Sequence, residues 1–170
     1  MKIVYVFLAD GFEEVEAITV VDILRRAEVE VLTVGVGSKT LVGAHDIVVQ
    51  ADIDICELNI DNNIEMIVLP GGMPGVYNLK KSKKVIEVLH YANNNRIYIA
   101  AICAAPTILG EQNMLYKRQA VCFPGMEAEL LGAQVISSNV VVDGNIITGK
   151  NMEAALEFAN TLVDLLVKIK

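Results

Sequence analysis

The sequence predicts an α/β fold, a mostly parallel central sheet covered by helices on both faces, and three observations carry that prediction. Short Val- and Ile-rich runs alternate with longer stretches of helical periodicity. The runs are apolar throughout rather than alternating, as strands buried on both faces are. The chain has 170 residues, 54% of them hydrophobic. It is read as one domain over 1–170 that buries roughly 70% of its unfolded surface.

Residues 2–8 form the first apolar run, closed by Ala9-Asp10-Gly11. Residues 13–27 then read as a helix with Ala17, Val20, Ile23, Leu24 and Ala27 on one face. A second strand over 29–36 ends at Gly35-Val36-Gly37, and the short pieces over 38–49 around Gly43 read as a surface hairpin. Residues 65–69 are a third buried strand, running into Pro70-Gly71-Gly72. A single helix is expected over 80–94, stopped by Asn93-Asn94-Asn95. Residues 97–102 make a fourth buried strand that passes directly into Cys103 and a helix from Ala104. A strand over 119–122 and a short helix over 126–131 follow. Residues 140–142 and 146–148 flank Asp143-Gly144, a two-residue hairpin turn. The last helix is expected over 151–169, with Leu156, Ala159, Leu162, Val163 and Leu166 inward.

Composition excludes several function classes. Lys and Arg number 14 against 21 Asp and Glu, a net charge of −7. That balance opposes nucleic-acid binding, which needs clustered basic residues. The densest basic stretch, Lys80, Lys81, Lys83 and Lys84, reads as a solvated helix start. No apolar run approaches the roughly 20 residues of a membrane span, and the opening run is too short and too early for a signal peptide. Cys56, Cys103 and Cys122 form no CxxC pair and cannot all be paired, which points to a reducing cytoplasm. No metal-ligand spacing is present, so neither metal nor cofactor is expected. Gly35-Val36-Gly37-Ser38-Lys39-Thr40 lacks the third glycine of a dinucleotide fingerprint and the Gly-Lys order of a P-loop.

In a parallel sheet, ligands sit beyond the carboxyl ends of the strands. Three such ends are chemically equipped here: 10–16, 70–75 and Cys103. Small neighbours on both sides of Cys103 permit a sharp strand-to-helix elbow that holds the sulfur above the sheet. The following helix N-terminus is expected to lower the thiol pKa. The Ala104 N–H, with that of Gly71 or Gly72, would form an oxyanion hole. Of the acidic group opening the first helix, Glu13 and Glu16 fall on the face of Val20 and Ala27, and an acid there has a raised pKa. Helical geometry does not choose between them. For Glu13 and Glu14, complementing the helix dipole is a sufficient role. His45, in the hairpin, reads as solvated or as reaching the site. His90 lies at the wrong end of the sheet, and no His-Xaa-Glu follows Cys103 to complete a glutaminase-type triad.

With these motifs in view, nearly the whole chain resembles the ThiJ/PfpI superfamily, in the branch of the Parkinsonism-associated protein DJ-one. The resemblance rests on Ala9-Asp10-Gly11-Phe12-Glu13-Glu14-Val15-Glu16, on Val21-Asp22-Ile23-Leu24-Arg25-Arg26-Ala27, on Val68-Leu69-Pro70-Gly71-Gly72 and on Ala100-Ala101-Ile102-Cys103-Ala104-Ala105-Pro106. Leu156-Glu157-Phe158-Ala159 also fits. It implies a flavodoxin-like three-layer α/β/α sandwich, a homodimer, and a reactive Cys103 hydrogen-bonded to a protonated Glu16. It assigns the lining N–H groups to Gly72 and Ala104, and it implies no cofactor. Relatives act as glyoxalases, protein deglycases, redox-responsive chaperones or, in another branch, peptidases.

Two departures stand out. Many relatives carry histidine at the position of Phe123, which removes a proton carrier, and Arg-Gly-Pro-Gly where this chain has Lys150-Asn151-Met152-Glu153. The peptidase branch places histidine directly after the cysteine, where this chain has Ala104, which argues against proteolysis. Cys122 falls beside Phe123 and is expected near Cys103. The leading expectation is a cysteine-dependent enzyme acting on small reactive carbonyls or glycated substrates. The alternative is a redox sensor or chaperone that uses oxidation of the same cysteine.

Overall fold

The computed structural model describes residues 2–167. In chain order the elements are β1 (Ile3–Ala9), α1 (Glu14–Arg26), β2 (Val31–Val36), β3 (Thr40–Val42), β4 (Val48–Gln50), β5 (Ile53–Asp54), β6 (Ile64–Leu69), α2 (Gly75–Lys81), α3 (Lys83–Asn94), β7 (Tyr98–Ile102), α4 (Pro106–Glu111), β8 (Gln119–Ala120), β9 (Gln134–Val135), β10 (Val140–Asp143), β11 (Ile146–Gly149) and α5 (Ala155–Val167). The main sheet has seven strands in the order β10-β11-β7-β6-β1-β2-β5. Every neighbouring pair is parallel except β10 and β11. The flavodoxin-like α/β prediction therefore holds.

The two-residue period of a strand explains the three layers. Along β1, Val4, Val6 and Leu8 face one core with Val20 and Leu24 of α1 and Phe158 and Leu162 of α5. Tyr5, Phe7 and Ala9 face the other, with Leu79 of α2, Val85 and Leu89 of α3 and Ile108 of α4. From β1 the chain runs outward through β2, then returns to the far side of β1 as β6. The carboxyl ends of β1 and β6 thus flank the switch point where such sheets bind ligands.

Several predicted elements are corrected. The helix expected over 80–94 is two helices, because Ser82 is extended and its side chain caps α3 by accepting the Val85 N–H. The lysine cluster therefore straddles a break and is not a simple solvated start. Lys80 pairs with Glu111, and Lys81 lies over the Tyr77 ring, 4.0 Å from its centre. The helix after Cys103 begins only at Pro106. The strand over 119–122 is just β8, which pairs with β9 outside the main sheet, and the helix over 126–131 is a single 3-10 turn, Glu127–Glu129. The two-residue β5 was not anticipated.

On α5, Leu156, expected inward, is 57% exposed, and Phe158 is fully buried. The 3-10 turn Met152–Ala154 precedes α5 and delays its start, while Ala159, Leu162 and Leu166 are buried as expected. Residues 168–169, also predicted helical, lie outside the described residues. Both predicted hairpins form, β3 with β4 and β10 with β11. Among the described residues no helix is long and apolar enough to cross a membrane.

Candidate active site

All three strand ends converge. Glu13 donates its backbone N–H to the Gly71 carbonyl at 2.8 Å, joining the loop after β1 to the loop after β6. The glycines there are forced by proximity. A Cβ on Gly72 (φ 93°) would lie 2.3 Å from the Glu13 nitrogen, and one on Gly75 would lie 2.7 Å from that of Phe12.

Cys103 ends β7 in the left-handed region, with φ 64°. For a residue with a Cβ this conformation costs of order 1–3 kcal/mol and persists only where the surroundings impose it. Two backbone hydrogen bonds impose it here: the Cys103 N–H donates to the Gly149 carbonyl at 2.9 Å, and its carbonyl accepts from the Phe123 N–H at 2.8 Å. The elbow expected from the small neighbouring residues is present.

Glu16, in the first turn of α1, reaches the same point. It is 1% exposed, and its Oε2 accepts the Gly71 N–H at 2.8 Å. A Cβ on Gly71 would stand 2.6 Å from both Glu16 Oε2 and the Cys103 Cβ, so only glycine fits between acid and thiol. With its N–H committed to Glu16, Gly71 drops out of the Gly71-or-Gly72 alternative for the oxyanion hole.

Burial raises the Glu16 carboxyl from 4.5 to about 7; the nearby Cys103 thiol and the Gly71 N–H oppose that rise without cancelling it. Oε1 is buried with no hydrogen-bond partner among the described residues, so it is the oxygen left to carry a proton.

The Cys103 thiol is pushed up to about 12, first by burial and then by the Glu16 carboxylate, with the Ala104 N–H opposing. This corrects the expected lowering. The following helix α4 has only six residues and starts three residues after the sulfur, so its dipole does little here. Acid and thiol titrate as a pair. Below about pH 7 the pair holds two protons and above it one. That single proton sits on the thiol or on the acid, and the acid-plus-thiolate arrangement is the nucleophilic one.

One acidic residue behaves differently from its sequence reading. Glu14, expected merely to complement the helix dipole, is 6% exposed because the β3–β4 hairpin folds over the start of α1. Its carboxylate accepts the His45 N–H at 2.7 Å and the Ile47 N–H at 3.4 Å, and it meets the His45 ring at 2.9 Å. Gly43 makes room for it, since a Cβ there would lie 2.1 Å from Glu14 Oε1. His45 is thus solvent-facing yet anchored to Glu14. Glu13, Glu14 and His45 bring one ligand-type atom each within 4.8 Å of one another, a grouping that linear spacing does not announce.

Cys122 is buried, donates to the Phe123 carbonyl at 3.4 Å, and has its thiol pushed up to about 11 by burial and by Glu127 and Glu129. Phe123 is 43% exposed and tied through its N–H to the Cys103 carbonyl. Sequence reasoning missed the Gly149 carbonyl that holds the elbow and the Glu14 anchor. The only available signal was the hairpin itself, whose docking position no local pattern encodes.

The model of the DJ-1/PfpI family matches residues 2–165. The chain belongs to the DJ-1/PfpI family. Within it, the DJ-1 homolog B of Arabidopsis thaliana is 36% identical over 160 residues, 92% of this chain. This chain spans 36% of that relative's length. A deglycase of Pyrococcus abyssi is 30% identical over 149 residues, covering 86% of this chain and 89% of that protein. Among solved structures, a mutant of a DJ-1 superfamily protein from Salmonella typhimurium superposes with a TM-score of 0.93 at 35% identity, over 99% of this chain and 91% of that one. Oxidised DJ-1 of Toxoplasma gondii superposes with a TM-score of 0.92 at 30% identity, over 98% and 91% of the two chains.

Proposed function

We propose that the chain is a cysteine-dependent, cofactor-free enzyme acting on reactive carbonyls, of the glyoxalase or deglycase type. The observation that carries this reading is the Cys103 elbow set against the buried, high-pKa Glu16 across Gly71. The similarity to a protein named a deglycase supports it.

The Cys103 sulfur adds to the aldehyde carbon. An S–C bond forms, the C=O π pair moves to oxygen, and the proton held by the pair follows through Glu16, giving a hemithioacetal. The N–H groups of Ala104 and Gly72 stabilise the charge developing on that oxygen. From a 2-oxoaldehyde, Glu16 then carries a proton from the first carbon to the second, oxidising one and reducing the other with no external redox partner. Water cleaves the resulting thioester to a 2-hydroxy acid and restores the thiol. Phe123 supplies no proton, so Glu16 performs both transfers.

The test is conversion of methylglyoxal to lactate by wild type, Cys103→Ser and Glu16→Ala. Each substitution is expected to lower kcat at least ~100-fold. Equal rates in all three end the proposal.

A second reading, a redox sensor, is favoured by one observation: a 30%-identical relative has been seen in an oxidised form. Two equivalents of peroxide convert the Cys103 thiol to a sulfinic acid and two waters, and the Glu16 proton is positioned to bond the new oxygens. Intact mass after mild peroxide discriminates. Addition of two oxygens at Cys103 alone supports sensing, and even oxidation of Cys56, Cys103 and Cys122 opposes it.

Either chemistry needs a free thiol, in keeping with a cytoplasmic setting. A homodimer fits the exposed apolar residues Val15 and Ile18 on α1 and Ile47 and Val48 on the adjoining hairpin. Sedimentation of Ile18→Lys tests it: a monomer where wild type is a dimer supports this face, and an unchanged dimer rejects it.

A further inference from the structure

Ala104, whose N–H faces the Cys103 sulfur, is also one wall of a cleft of about 130 Å³. Met73, Val76, Tyr77, Thr107 and Met126 also line it. Met73 is 57% and Tyr77 47% exposed. These are large apolar side chains that share a cleft with Ala104, the residue following Cys103.

Two of the polar groups around the cleft are already engaged. The Thr107 hydroxyl donates to the Ala104 carbonyl at 2.7 Å, and Lys80 at the rim pairs with Glu111. Glu129, also at the rim, is a carboxylate that repels anionic groups. What remains is a small, adaptable, thioether- and aromatic-lined space. Its volume is near the ~150 Å³ of an apolar cavity that takes up benzene.

We propose that this cleft is a substrate subsite for an uncharged apolar substituent of about four to six carbons, aliphatic or phenyl, on the molecule that reacts at Cys103. The identity of the reacting group rests on the carbonyl reading above; the subsite itself rests on the cleft.

The test separates the two. Chloroacetamides carrying N-methyl, N-butyl or N-benzyl groups present the same electrophile with different substituents. Their labelling of Cys103 is followed by intact mass, with Cys103→Ser as background and glutathione as the reference thiol. Relative to glutathione, the butyl and benzyl reagents are expected to react about tenfold faster than the methyl one. In the double variant Met73→Ala, Tyr77→Ala, both exposed positions, that ratio falls to within about twofold of glutathione. In parallel, kcat/KM for phenylglyoxal is expected to exceed that for methylglyoxal about tenfold. Selective labelling without turnover of either glyoxal upholds the subsite and overturns the carbonyl reading. A wild-type ratio equal to that of glutathione, or one the double variant retains, overturns the subsite.

Discussion

Replacing Glu16 by Gln keeps the shape of the side chain and an oxygen for the Gly71 N–H while removing its titration. In the folded protein the Glu16 carboxyl rises from 4.5 to about 7, at 1% exposure. At about 1.4 kcal/mol per pKa unit, ionising this buried acid costs about 3 kcal/mol. The sign follows from proton counting. Between pH 4.5 and 7 the folded state holds a proton that the unfolded state has released, so this group's contribution falls as pH rises through that window. Glu16→Gln should therefore match wild type near pH 4.5 and exceed it by about 3 kcal/mol at pH 8. For a chain of this length that corresponds to roughly 6–12 °C in Tm. The assay is thermal or urea unfolding of both proteins at half-unit steps from pH 4.5 to 8.5. Subtracting the two curves cancels the titrating groups not coupled to Glu16, Glu14 and His45 included; Cys103, which is coupled to it, is replaced by Ser in both proteins. A difference that stays flat across the range, or a variant less stable at pH 8, refutes the burial argument for Glu16.

Gly71→Ala drives a Cβ to 2.6 Å from Glu16 Oε2 and the Cys103 Cβ; a loss of about 1–3 kcal/mol in urea unfolding and a collapse of Cys103 alkylation rate are expected. His45→Ala should loosen the β3–β4 hairpin in a pH-dependent way. The His45 pKa is raised by its hydrogen bond to Glu14, so its contribution is present below about pH 6.5 and lost as pH rises through the folded value. Burial alone would raise the Glu14 carboxyl, but its hydrogen bonds to His45 and Ile47 bring it below 4.5, and its contribution disappears as pH falls through that lowered value. The stability difference between His45→Ala and wild type should accordingly be largest between the Glu14 and His45 titrations and shrink as pH rises through the folded His45 value. Phe158→Ala empties a fully buried position between α5 and the sheet and should cost about 3–5 kcal/mol in equilibrium unfolding.

How much of this was legible beforehand depends on how local each signal is. The buried strands and the elbow at Cys103 were readable, because residue size and hydrophobic run length are local properties. The break at Ser82 was not, since serine is compatible with a helix interior as well as with a cap, and which role it takes depends on how α2 and α3 pack separately against the sheet. Leu156, expected inward, lies at the margin of the face carrying Ala159, Leu162 and Leu166, and the packing of Ala155 and Phe158 decides which margin is covered. Glu14 was misread for a related reason: its burial comes from a hairpin 30 residues further along the chain.

By itself the sequence determined the layered α/β architecture, the strand ends that carry chemistry, and the residue held at the elbow. Periodicity and steric size act over a few residues, and a single chain displays them. Only the tertiary structure decided that the Glu16 carboxyl rather than that of Glu13 accepts the Gly71 N–H, and that the Cys103 thiol is raised rather than lowered. Those outcomes depend on how deeply a charge is desolvated, and that depth is set by loops and a hairpin arriving from distant parts of the chain.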